Sequence, residues 1–321
     1  MDIKKVLLLG GSGFIGTYIA NRLSQRGIEV TIPTRRRERT KALIMQPGVE
    51  MLQADIHCEK TLTELMQGHD AVINLVGILC SRDVKFPFSS DFAKAHVELP
   101  KTVIAACKAA GVRRLLHMSA LKADPKAPSE YLASKGEGEA IVRAAQGELN
   151  VTLFRPSVAF GLGDSFFSLF ARALKLSPIF PLGFGHARLQ PVWVADIADA
   201  FVDSLGDAAT FGQTYDLAGP RVYTLRELVE YTASLCGGKA RIIALPEGLA
   251  YLQAGLMWLM PNPVLSPDNL RSLQVDNVCE GGDCRLPAGW RPTALEAVAP
   301  TYIARQTLKG KLDGFRYHAG R

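Results

Sequence analysis

The chain predicts an α/β protein built on a doubly wound parallel sheet, with a second, smaller and mostly helical C-terminal lobe, and three observations carry that reading. Short apolar runs alternate with helical patterns through the first half: VLLL at 6–9, EVTI at 29–32, VEML at 49–52, AVINLV at 71–76, RLLHM at 114–118 and VTLF at 151–154. A glycine-rich turn, GGSGFIG at 10–16, joins the first run to the first helix. After Phe154 the alternation weakens, and proline and glycine cluster in RPSVAFGLGDSFF and SPIFPLGFGHARLQP.

Taken in order, six strand-like runs separated by helices require right-handed crossovers and hence a parallel sheet. The helices at 14–25, 91–110 and 131–146 show periodic apolar faces, and Gly27, Gly111 and Gly147 stand just past their ends as stop signals. Pro100 falls inside the second, where it removes a donor and should bend the helix or start a new one. PVWVAD at 191–196 and YDLAG at 215–219 are expected to return to the sheet. The division expected is 1–157 with 191–219 as a nucleotide-binding Rossmann domain, and 158–190 with 220–321 as the smaller lobe. A length of 321 residues agrees with two lobes, since single cores stop growing at roughly 250–300 residues.

Hydrophobic residues make up 48% and charged residues 21%, which describes a chain folded throughout. The net charge of +6 gathers at 35–39 and in the tail from 305 to 321, so a phosphate ligand or an anionic surface suits it. No basic stretch is interleaved with aromatics, so no nucleic acid partner is expected. The six cysteines lack a repeated spacing and read as thiols of a reducing compartment. CEGGDC at 279–284 has no second Cys/His pair, so no metal is expected there. The apolar run before the first glycines is too short for a signal peptide, and the stretch 249–260 falls short of the ~20 residues that cross a bilayer. A cytoplasmic protein is expected, with 249–260 and the basic tail available to rest on the inner face of a membrane.

The turn at 10–16 carries the first chemistry. Gly10 permits the bend, Gly13 lets backbone N–H groups approach a pyrophosphate, and Gly16 lets helix and strand pack closely, with Phe14 and Ile15 opening the helix. An Asp or Glu at the tip of the second strand would hold the ribose hydroxyls of NAD; the tip here reads IPTRRRER. Arg35 and Arg36 can pair with a 2′-phosphate instead, so NADP(H) is the expected cofactor. Ser119 closes the fifth strand, Tyr131 opens the next helix, and Lys135 lies one helical turn on. An ammonium that favours phenolate would bring Tyr131 toward useful acid or base strength, with Ser119 binding a carbonyl, so these three are the candidate catalytic residues.

In this order, GGSGFIG, HMSAL, SEYLASKGEGE, RPSVAFG and QPVWVADIADA resemble the short-chain dehydrogenase/reductase superfamily in its extended or atypical branch, the NAD-dependent epimerase/dehydratases. More narrowly they resemble the nucleotide-binding accessory subunits of respiratory complex I and their bacterial homologues. The resemblance implies that Asp55 and Ile56 contact adenine, that Asn74, Val76 and Gly77 line the ribose side, that Lys135 also touches the cofactor, and that Pro156 and Ser157 sit near the nicotinamide. His96 departs from the pattern, standing where many members have an asparagine of the proton relay. Arg188, Leu189 and Gln190 lack the acidic partner common in sugar-nucleotide epimerases. Phe160, Phe166, Phe167, Phe170 and Phe180 suit either an apolar ligand or an aromatic core.

Two functions follow as expectations. One is an NADP(H)-dependent oxidoreductase acting on a small apolar carbonyl or a quinone-like compound such as ubiquinone. The other is a non-catalytic NADPH-binding accessory or assembly protein of complex I or quinone biosynthesis, with peripheral contact to the membrane or that complex.

Overall fold

The computed structural model describes residues 1–35, 41–81, 83, 88–177, 179–237, 240–259, 265–281 and 284–304. It divides into two compact units, the first comprising Met1–Pro156, Val194–Leu217 and Glu280–Trp290, the second Ser157–Trp193, Ala218–Cys279 and Arg291–Arg321.

The first unit runs β1 (Lys5–Leu9), α1 (Phe14–Gln25), β2 (Glu29–Thr34), α2 (Lys41–Ile44), β3 (Val49–Gln53), α3 (Glu59–Met66), β4 (Ala71–Asn74), α4 (Ser90–Phe92), a π-helical segment Ala93–Glu98, α5 (Leu99–Ala110), β5 (Arg114–Met118), α6 (Glu130–Ala144) and β6 (Asn150–Pro156). In the second unit come β7 (Ala159–Phe160), α7 (Phe166–Leu176), β8 (Ile179–Leu182), β9 (Arg188–Leu189) and β10 (Val192–Trp193). The chain then re-enters the first unit with α8 (Val194–Ser204) and β11 (Gln213–Leu217). It finishes with β12 (Tyr223–Thr224), α9 (Leu225–Leu235), β13 (Arg241–Ala244), α10 (Glu247–Trp258), α11 (Pro267–Ser272) and α12 (Leu295–Ile303).

Seven parallel strands form the central sheet in the order β11-β6-β5-β4-β1-β2-β3. Val6 to Leu9 are wholly buried, as are Ala71 to Ile73, because a parallel sheet is covered on both faces. On one face Leu7, Leu9, Val72, Leu115 and Leu153 share a core with Leu62 of α3, Val103 of α5 and Val142 of α6. Helix α1 buries Gly16, Ile19, Ala20 and Leu23, one stripe at helical spacing. It packs against α8, with the half-exposed pair Arg22–Asp199 at 2.8 Å across the contact.

Two expectations need correction. PVWVAD does not return to the central sheet: Val192 and Trp193 pair with Ala159 and Phe160 in a two-stranded ribbon of the second unit, and α8 begins at Val194. Only 213–217 adds to the sheet, as its β11 edge. Cys279 and Cys284 are disulfide-bonded rather than free thiols, while Cys58, Cys107 and Cys236 are free. Their closeness in one loop makes such a bond cheap in closure entropy. Residues 280–290 belong to the first unit because Arg285 and Asp216 exchange hydrogen bonds at 2.8 and 3.1 Å.

Pro100 starts a new helix, standing in the first turn of α5 directly after the π segment. Without an N–H it cannot bond the His96 carbonyl four residues back, and the chain widens there.

Arg114, at the start of β5, is fully buried. Its guanidinium donates to the carbonyls of Asn150 (2.8 Å), Ser204 (2.5 Å) and Leu205 (3.0 Å) and to the hydroxyls of Thr152 (2.9 Å) and Thr210 (3.0 Å), with Phe211 beneath it. Burial lowers its pKa to about 10, which leaves it charged at neutral pH.

In the second unit Phe160, Phe167, Leu228, Val229, Leu295 and Ala299 form the core, with Phe166, Phe170 and Phe180 packed against it in edge-to-face contacts. The phenylalanines are therefore core aromatics.

Candidate active site

The turn after β1 is closed by Gly13 N–H donating to the Gly10 carbonyl at 3.0 Å. Gly10 has φ +80°, and a side chain there would press on the backbone of Leu75 and Val76 at 3.2 Å. At Gly16 a Cβ would lie 2.4 Å from the Gly10 oxygen and 2.6 Å from the Gly11 Cα, so the helix sits against the turn as its third glycine demands. At Gly13 the same atom would meet, among the described residues, only the Gly10 oxygen, at 3.2 Å. Helix α1 has no side-chain cap and no acidic residue in its first turn, where Phe14 and Ile15 are half-buried. Uncapped N–H groups, the positive end of the helix dipole and a glycine-lined approach fit a dinucleotide pyrophosphate.

Arg35 follows β2 with an exposed side chain; Arg36 lies outside the described residues. Past β3, the Asp55 carboxylate accepts the His57 N–H at 3.0 Å and so shapes its own turn, while Ile56 leans on the core. Burial lowers the pKa of His57, the charge of Lys94 lowers it further and Asp55 opposes, with Arg35 adding to the lowering. Charges of both signs, from Arg35, Asp55, Glu98 and Lys94, thus act on His57. His57 and Lys94 carried no recognisable signal in the sequence.

At the end of β4 the Asn74 side chain is buried. Its Oδ1 accepts from Val76 N–H at 3.1 Å, which turns Nδ2 to His117 Nδ1 at 3.2 Å. Asn74 therefore shapes the loop with its side chain. Gly77 comes next, and a Cβ on it would stand 3.5 Å from His96 Nε2 and 3.9 Å from Lys135 Nζ.

Helix α6 is capped by Ser129, which accepts the Leu132 N–H at 3.2 Å. Gly138 lets it press on the chain at His96, whose carbonyl oxygen would be 2.0 Å from a Cβ there. Tyr131 and Lys135 share one face of the helix, next to the Gly77 loop. Lys135 is buried and donates to the Met118 carbonyl at 2.6 Å; burial brings its pKa down to about 8. Tyr131 packs edge-on to His96 at 5.8 Å and beside Phe92 at 6.4 Å, and burial pushes its hydroxyl up to about 12. The lowering expected from Lys135 is not seen, because burial of the hydroxyl sets the direction of the shift.

Ser119 is buried, and its N–H donates to the Phe154 carbonyl at 2.7 Å. Its hydroxyl makes no well-formed hydrogen bond among the described residues, yet it acts on the carboxylate of Glu139, two turns below Tyr131 on α6. Burial would raise Glu139, but hydrogen bonds and charge from Arg155 prevail, with help from Ser119 and Arg143, and hold the carboxyl below its ordinary value. Glu139 is missing from the sequence reading; its signal was a carboxylate four residues past Lys135 on the same face.

Pro156 ends β6 with its carbonyl accepting from Leu121 N–H at 3.0 Å. Ser157, in the second unit, spends its hydroxyl on Asn277, at 2.5 Å from Oδ1. In that unit Gln190 bonds Gly219 and Cys279, both at 2.7 Å, and Arg188 pairs with Asp276 at 3.7 Å. The structure thus brings Gly77, Tyr131 and Lys135 together with His96, and sets Ser119 one residue beyond the carbonyl that holds Lys135.

The model of the NAD dependent epimerase/dehydratase family matches residues 6–218. A mouse protein, NADH dehydrogenase [ubiquinone] 1 alpha subcomplex subunit 9, mitochondrial, is 34% identical over 230 residues, which is 70% of this chain and 59% of the mouse protein. The chain thus spans less than two thirds of that relative's length. A ceramide reductase of Caulobacter vibrioides is 28% identical over 245 residues, covering 75% of this chain and 74% of the other. Among solved structures, a dTDP-glucose 4,6-dehydratase of Streptomyces venezuelae with NAD bound superposes with a TM-score of 0.72 at 19% identity, covering 95% of this chain and 98% of that one.

Proposed function

Since the chain belongs to the NAD-dependent epimerase/dehydratase family, we propose that it is an NADP(H)-dependent oxidoreductase reducing the carbonyl of an apolar, lipid-like or quinone-like substrate. The observation that carries this reading is the Tyr131–Lys135 turn held against Gly77, on a dinucleotide-binding fold whose β2 tip presents Arg35 where an NAD site has a carboxylate. The glycine turn would hold the pyrophosphate, Arg35 the 2′-phosphate, and the Gly77 loop the ribose beside Lys135. When bound, the reduced cofactor supplies a hydride.

Tyr131, with its pKa at about 12, keeps its proton at neutral pH and is suited to give it to a carbonyl oxygen as the carbon is reduced to an alcohol. Lys135, at about 8, exchanges protons near neutrality and can restore the phenol. The rings of Phe92 and His96 beside Tyr131 favour an apolar carbonyl, as does likeness to a relative named for ceramide reduction.

Oxidation of NADPH should be followed with a panel of quinones and long-chain ketones. Tyr131→Phe is expected to abolish turnover and leave NADPH affinity unchanged. A wild-type protein that binds NADPH tightly yet turns over nothing would overturn the enzymatic reading.

A second reading, an accessory protein resting on a lipid surface, is favoured by α10. Leu249, Leu252, Leu256 and Leu259 follow one another at helical spacing with 52–74% of their surface exposed, and Glu247 is the sole charge in 247–259. No helix among the described residues is long and apolar enough to cross a membrane. Co-sedimentation with phosphatidylcholine vesicles, lost in Leu252→Glu/Leu256→Glu, would support this contact; equal sedimentation of both proteins would refute it.

A further inference from the structure

We infer that His96 is a positioning residue of this site: an uncharged imidazole with its proton fixed on Nδ1, it ties the Gly77–Ile78 backbone to the first turn of α6, which carries Tyr131. Its purpose rests on the oxidoreductase reading; its chemistry does not.

The hydrogen bonds fix the tautomer from both sides. Ile78 N–H donates to His96 Nε2 at 3.0 Å, so that nitrogen carries a lone pair. A neutral imidazole has one N–H, which is then on Nδ1. Nδ1 faces Ser134 Oγ at 2.8 Å, and the Ser134 hydroxyl donates to the Tyr131 carbonyl at 3.0 Å, leaving its oxygen to accept. Three bonds therefore run in one sense, from Ile78 through His96 and Ser134 to Tyr131.

The surroundings oppose a second proton. Phe92 stacks on the imidazole at 5.5 Å, Tyr131 meets it edge-on from α6, and the charges facing it are Lys135 of α6 and, if protonated, His117 of β5. A proton on Nε2 would set a donor against the Ile78 N–H. Burial, with the Lys135 charge, takes the pKa down to about 2.

The backbone of His96 is held equally firmly, between the widened turn ahead of Pro100 and the gap left by Gly138. With both ring nitrogens committed, His96 cannot pass protons to Lys135. It sets the spacing between the Gly77 loop and α6.

Nitrogen NMR of the full chain labelled with 15N-histidine, with and without NADPH, tests this directly, His96→Gln supplying the assignment. His96 should show a protonated Nδ1 and an unprotonated Nε2, with no titration between about pH 5 and 8. Titration in that range, or a proton on Nε2, would overturn the inference. His96→Ala, which strands the Ile78 N–H, should weaken NADPH binding roughly tenfold, and His96→Gln should recover part of the loss. Unchanged binding in His96→Ala would also overturn it. If no substrate is ever turned over, the oxidoreductase reading fails while the tautomer result stands; if turnover is found and His96 titrates, the inference fails alone.

Discussion

Replacing Gly16 and Gly13 separately by alanine should split the nucleotide turn into a part that builds the fold and a part that receives the ligand. At Gly16 the new Cβ would lie 2.4 Å from the Gly10 oxygen, 2.6 Å from the Gly11 Cα and 2.8 Å from the Gly11 carbonyl carbon. All three are backbone atoms, so no side chain can rotate away, and α1 must separate from the turn. Overpacking of this kind costs about 1–3 kcal/mol, and rigid partners place Gly16→Ala at the upper end. For a unit of this size about 3 kcal/mol corresponds to a fall in Tm of roughly 6–12 °C. At Gly13 the only close atom among the described residues is the Gly10 oxygen at 3.2 Å, so Gly13→Ala should unfold within about 1–2 °C of the parent. Its methyl nevertheless stands on the approach to the pyrophosphate, and it should lose about 2 kcal/mol or more of NADPH binding. Thermal unfolding by circular dichroism and calorimetric titration with NADPH measure the two quantities independently. Equal destabilisation by both substitutions, or full NADPH affinity in Gly13→Ala, would refute the division of roles.

Three further outcomes follow from the same structure. Arg35→Ala should weaken NADPH binding by about 1–3 kcal/mol and leave NADH binding nearly unchanged; equal losses for both in calorimetry would remove the 2′-phosphate assignment. Arg114→Met should lower Tm by an amount corresponding to about 3 kcal/mol or more, because five acceptors lose their donor in a dry interior; an unchanged denaturation midpoint would show that the guanidinium is dispensable. Lys135 falls from 10.5 to about 8 on folding, so between those values the unfolded chain holds more of its protons and stability should rise with pH, a slope that Lys135→Met should remove. Identical pH profiles for the two proteins, by urea denaturation, would count against the burial of that ammonium.

The parallel sheet was legible because strands covered on both faces read as largely apolar runs, most clearly in β1 and β4, and the six runs fall on β1 to β6. The same cue misplaced Val192 and Trp193, since an apolar pair looks alike in a seven-stranded sheet and in a ribbon two residues long. Tyr131 and Lys135 were readable as neighbours from helical spacing alone, but the strength of the phenol was not, because it depends on rings from Phe92 and His96 far earlier in the chain. Glu139 stands one helical turn past Lys135 in the sequence, but its burial and its pairing become visible only when β6 brings Arg155 beside it. Asp55 and Asn74 were both marked for the cofactor side, and their side chains bond their own loops. Local polar residues close turns before they meet a ligand, and spacing does not separate the two uses.

Arg114 also dictates the order in which this molecule can be completed during synthesis. Three of its five hydrogen bonds come from Ser204, Leu205 and Thr210, about ninety residues downstream and beyond the whole excursion from Ser157 to Trp193. A nascent chain that has emerged only as far as Pro156 carries a strand with a cation and too few acceptors, so its sheet stays open on that edge until the later segment arrives. Fragments cut between 157 and 193 should therefore be poor starting points for a split protein, whereas a break after Thr210 keeps the lock intact.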